Sequence, residues 1–196
     1  MNKEEVHSLA QQIKRSFRLY MNGETSHSMR EKGAGYAINW GIELHRLRAM
    51  AAAYEPSLDL ALELWQSQVR ECKIMATLLI PKGDISRPLA EELAETLLTV
   101  EMAEVCTMNV FQYVPQAEAM ALEWITASDT LRRISGFHLL SRLLARGYVP
   151  DAEQARQIAE AAENALAAGH FALSRAAHNC ALRLEEVRDE QNLDIL

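Results

Sequence analysis

No apolar run in this chain approaches the roughly 18 residues that a membrane-spanning helix needs, so a membrane partner is not expected. Cysteine is scarce: Cys72, Cys106 and Cys180 are odd in number and none lies in a CxxC pair. That leaves no disulfide framework and no thiolate metal cage, and the three read as small apolar core residues of a reduced, cytoplasmic protein. The six histidines form neither HExxH nor a Cys/His cluster. Gly33–Gly35 is too short, and lacks the preceding strand, for a phosphate-cradling loop. A G-x-S-x-G nucleophile motif is also missing. No metal and no cofactor is therefore expected. Charges come too early and too evenly in the first residues for a secretory leader.

Strand-like alternation is missing as well, and what fills the chain is helical periodicity. A chain of 196 residues, 49% of them apolar, can bury roughly 70% of its unfolded surface as one domain. Val6, Leu9, Ile13, Phe17 and Tyr20 recur at helical spacing, and Asn22-Gly23 reads as the stop of an N-terminal helix over 1–23. A polar loop is expected next, then a helix from Trp40 to Tyr54. Ser57 suits an N-cap, as does Ser86 before Pro88, and Ser128 suits the cap of the helix that follows it. The last helix is expected to close near Arg188, with 189–196 a frayed tail.

Pro56, Ser86, Pro115 and Pro150 break the pattern at intervals of roughly 30 to 36 residues, each enclosing about two helices. This spacing predicts an all-α fold, a HEAT-like helix-pair solenoid with a concave face, built as a single domain over 1–196. An irregular helical bundle is the alternative. Two stretches, Trp65–Ile80 and Thr130–Gly147, each read as an amphipathic helix with basic residues at its edge.

The formal net charge of −7 argues against a generally basic nucleic-acid binder. Charge is unevenly spread, however. Residues 128–149 hold Arg132, Arg133, Arg142 and Arg146 against one aspartate, whereas 81–127 and 150–196 are strongly acidic. A basic strip on an acidic body binds phosphates weakly and with strong salt dependence.

In order along the chain, SMREKGAGYAINWGIELHRLRAMAAAY, ELWQSQVRECKIMATLLI and TLRRISGFHLLSRL resemble the DNA alkylation repair family of AlkD-type glycosylases, built from HEAT-like repeats. The residues that carry the likeness are Met29, Gly41, Arg46 or Arg48, Leu64, Trp65, Glu71 and Arg133. The resemblance implies a clamp on duplex DNA that excises N3- or N7-alkylated purines, such as 3-methyladenine and 7-methylguanine. It implies one aspartate flanked by two tryptophans, with an arginine on the phosphates. An aspartate suits that role because cleavage develops oxocarbenium charge on the sugar.

Carried over by position, the aspartate falls on Asn109 and its helix tryptophan on Val105, while the second tryptophan falls on Cys180, before Arg183. An amide supplies no full charge at the expected catalytic position. The DNA-contacting set expected from arginine placement and resemblance is Trp40, Arg46, Arg48, Arg132, Arg133, Arg142, Arg146, Cys180 and Arg183. Each has a plainer reading. Arg133 can hold a phosphate or pair with Asp129; Arg46 and Arg48 cannot share one face; Glu71 can touch a ligand or pair with Arg70. Trp65 and Trp124 read as core. The expected partner is duplex DNA, alkylated or otherwise damaged, with the protein nucleoid-associated if so. The open alternatives are a non-catalytic DNA binder and a protein-binding scaffold.

Overall fold

The computed structural model describes residues 2–31 and 35–193. Gly33 and the last residues of the expected tail lie outside them. Eleven α-helices and no strand are present among the described residues; a parallel bridge joins Ile38 and Val69. None of these helices is long and apolar enough to cross a membrane. By its contacts the chain divides into two compact units, Met1–Ile85 and Ser86–Leu196.

In the first unit, α1 (Lys3–Ser16) opens with a capping box. Asn2 accepts from the Glu5 amide, and Glu5 accepts from the Asn2 amide, which satisfies two otherwise unpaired donors. Its Val6, Ala10 and Ile13 face the core, and Phe17 in the 3-10 turn Phe17–Leu19 completes that stripe. The expected loop after Gly23 is a helix instead, α2 (Gly23–Glu31). Asn22 starts it, accepting from the Thr25 amide at 3.0 Å, so the Asn-Gly pair begins a helix where a stop was expected.

Tertiary bonds hold that polar helix. The Ser26 hydroxyl donates to the Asn39 carbonyl at 2.7 Å, and Arg30 donates to Ser26 at 2.8 Å. Gly41, at φ +72°, permits the approach: a Cβ there would stand 2.6 Å from the Ser26 nitrogen and closer still to the Asn22 carbonyl oxygen. Trp40 lies in this extended segment, before α3 (Leu44–Ala51). Next come α4 (Leu58–Trp65), capped by Ser57 as expected, and α5 (Arg70–Leu79). Trp65–Ile80 is thus not one helix: α4 ends at Trp65 and a turn precedes α5.

The second unit holds α6 (Arg87–Glu95), capped by Ser86, α7 (Val100–Asn109), a 3-10 turn (Phe111–Tyr113) and α8 (Ala117–Trp124). It continues with α9 (Thr130–Leu144), α10 (Ala152–Ala167) and α11 (Phe171–Leu193), the last running well past Arg188. The cap of α9 is Asp129, not Ser128; its carboxylate accepts from the Arg132 amide at 2.7 Å. α9 packs on α7, α8 and α11, and α10 on α11. Each interval from Pro56 onward encloses two helices, as the spacing predicts. Gly136 sits where α9 meets α8, and a Cβ there would fall 2.8 Å from the Ile125 nitrogen.

Candidate functional site

In α9, Ile134, Phe137, Leu140 and Leu144 turn inward and set the directions of Arg132, Arg133 and Arg142, with Arg146 in the turn that follows. Those arginines do not form one basic strip. At 100° per residue Arg133 and Arg142 stand about half a turn apart, and their partners differ accordingly.

Arg132 pairs with Glu91 of α6 at 3.1 Å and lies over the Trp124 ring, 5.7 Å from its centroid, so its charge is already matched. The Arg133 guanidinium does not pair with Asp129. Its Nε donates to the Ile125 carbonyl at 3.2 Å, satisfying a peptide oxygen left open at the end of α8. Arg142 and Arg146, one turn apart, converge on a single acceptor: Arg142 Nε and Arg146 Nη1 donate to Gln112 Oε1 at 3.1 and 2.9 Å. Gln112 is 9% exposed, and its amide nitrogen donates to the Met108 carbonyl in the last turn of α7. Among the described residues neither arginine is paired with a carboxylate. Two cations held by one neutral oxygen retain their charge for an anion.

Asn109 closes α7, half-buried, three residues before Gln112. Val105, where the resemblance expects an indole, is buried apolar core. In sequence the nearest carboxylate to Asn109 on that helix is Glu104, and it is committed elsewhere. Its Oε1 accepts from Arg175 of α11 at 2.8 Å and lies 3.5 Å from His138 Nε2 of α9. The histidine first, and Arg175 after it, hold this carboxyl below the usual carboxylate range against the opposing effect of burial. The arginine pair therefore offers cationic donors, and Glu104 is held by Arg175 and His138.

The remaining expected contacts have local settings of their own. Cys180 is fully buried, and burial pushes its thiol up to about 12, so it is a core residue that no ligand reaches. Arg183 is exposed and pairs with Glu186 at 2.6 Å, a local pair along α11. In the first unit, Arg46 is exposed and lies over the Tyr20 ring at 5.1 Å, and Arg48 is exposed as well. Trp40 is half-buried, its amide donating to Glu71.

The basic edge expected on Trp65–Ile80 has turned inward. Glu71, 0% exposed, accepts from the Trp40 and Ile42 amides and from Arg70 Nη1 at 3.1 Å. Arg70, 2% exposed, also donates to the Ile42 carbonyl at 2.9 Å. Lys73 donates to the Trp65 carbonyl at 2.9 Å and sits 4.4 Å over that residue's ring. Of the two readings of Glu71, the ion pair holds. Met29, accepting from Asn39, and Gly41 belong to the same docking of segment 39–42. These signature residues build the fold.

Sequence reasoning missed Gln112. The four-residue spacing of Arg142 and Arg146 was readable, but nothing local marks a neutral side chain thirty residues upstream as their common acceptor.

A family model described as "DNA alkylation repair enzyme" matches residues 13–192. The fold is similar to a solved structure described as "A new family of proteins related to the HEAT-like repeat DNA glycosylases with affinity for branched DNA structures". That likeness has a TM-score of 0.75 at 14% identity, covering 87% of this chain and 73% of the other. Among curated proteins no match is found.

Proposed function

The chain belongs to the DNA alkylation repair enzyme family, and from that premise we propose that it binds DNA through backbone phosphates at Arg142 and Arg146 without excising alkylated purines. The observation that carries this reading is the Gln112-centred arginine pair, charged and unmatched by any carboxylate among the described residues, while the position where the resemblance expects an aspartate holds Asn109. Phosphate contacts fix position and carry no sequence information, which suits a protein recognising a state of the backbone rather than a base sequence. Glycosidic cleavage needs a group that stabilises oxocarbenium charge, and an asparagine amide does so poorly. The similar solved protein's described affinity for branched DNA makes junctions the natural second ligand for the test.

The test follows release of 7-methylguanine and 3-methyladenine from methylated duplex, alongside binding to undamaged duplex and to a four-way junction at two salt concentrations. Salt-sensitive binding without base release is expected, and an Arg142→Ala/Arg146→Ala double variant should weaken it and flatten its salt dependence. Base release that Asn109→Ala abolishes would overturn the non-excising part. Binding unchanged in the double variant would remove the arginine pair from the interface.

A further inference from the structure

We infer that Gln112 is a positioning residue which gathers Arg142 and Arg146 into one fork that takes a single backbone phosphate, so that they do not act as two independent cations. The inference rests on the DNA-backbone reading above. Two donors that share one oxygen at 3.1 and 2.9 Å lie within about 6 Å of each other. Guanidinium groups this close repel, and what holds them is the carbonyl dipole of Gln112. The direction of that dipole is fixed, because the amide nitrogen is spent on the Met108 carbonyl and the oxygen therefore faces the arginines.

The anchor and its cargo differ in exposure. Gln112 is buried, whereas Arg146 is exposed and Arg142 half-buried. Each guanidinium carries about five N–H donors in a planar array, and one of each is used on Gln112. The remaining donors have the geometry to grip the non-bridging oxygens of one phosphate from two sides. An amide at this position is required chemically. A carboxylate would offer the same oxygen but would cancel the charge the fork presents, whereas an apolar side chain would let the arginines separate. The ligand class is thus a phosphodiester of the DNA backbone, and inorganic phosphate shares its chemistry.

Duplex binding by the full chain, measured over a series of salt concentrations, tests this with four proteins: unsubstituted, Arg142→Ala/Arg146→Ala, Gln112→Met and Gln112→Glu. Two independent cations would cost about two units of salt slope when both are removed; one shared phosphate costs about one. Gln112→Met keeps both charges and the buried volume, so binding should weaken roughly tenfold with a slope no shallower. Gln112→Glu keeps the acceptor and cancels charge, and should fall to the level of the double variant.

A slope loss near two, or Gln112 variants that both bind like the unsubstituted chain, would overturn the fork while leaving the arginines as phosphate contacts. Full binding by the double variant would instead overturn the underlying reading. Helical content by circular dichroism confirms that each variant folds, and Gln112→Glu, the isosteric change, decides if Gln112→Met does not. Competition by millimolar inorganic phosphate in place of junction or duplex would assign the fork to the free anion and overturn the backbone assignment.

Discussion

Removing the Glu71 carboxylate would leave Arg70 charged in a site where it is 2% exposed, along with the Trp40 and Ile42 amides that the carboxylate now accepts from. Breaking a buried pair from one side is strongly unfavourable, because the surviving ion keeps its desolvation cost and loses its compensation. Glu71→Ala should therefore cost about 3–5 kcal/mol, read as a lower denaturant midpoint for the full chain. A loss under about 1 kcal/mol, as for ordinary surface substitutions, would mean that solvent reaches the pair. Such a result would also weaken the account of why a glutamate two residues into α5 carries the family likeness. The same logic separates Cys180 from Arg183. One is sealed in the core and the other is solvated beside Glu186, though both stand in a single run of sequence.

At the scale of elements, capping locates the start of α9 to the residue. Asp129 accepts from the Arg132 amide, and Ser128 makes no such bond. Asp129→Ala should cost about 1 kcal/mol of stability, whereas Ser128→Ala should leave the thermal midpoint unchanged; the reverse order would return the cap to Ser128. The caps at Ser57 and Ser86 were legible because a side chain bonding to a backbone amide three residues on is a local event. α2 was not legible. Its polar residues lack apolar periodicity, and its support comes from Asn39 and Gly41, well outside the helix. Periodicity likewise ran across the turn between Trp65 and Arg70, because both flanking helices are apolar-faced. The same limit governs the site. The sequence groups Arg132, Arg133, Arg142 and Arg146 in one basic stretch, but only packing reveals that Glu91, Ile125 and Gln112 divide these four arginines among three separate tasks.

For the whole molecule the governing quantity is charge. A chain of net charge −7 repels a polyanion at long range, so attraction arises at short range, where fixed guanidinium groups meet phosphate. Acidic residues on helices that carry no part of the arginine pair still contribute to that repulsion. Glu92 and Glu95 of α6 and Glu163 of α10 are exposed, and changing all three to glutamine moves the formal charge from −7 to −4. Duplex affinity of this triple variant should rise about two- to fivefold near 50 mM salt, where the screening length exceeds about 10 Å, and match the unsubstituted chain near 0.5 M, where it is far shorter. A gain that persists at high salt would mean that one of these glutamates touches the DNA-binding surface directly. No gain at low salt would mean that the field of the whole protein is immaterial and that local contacts alone set the affinity.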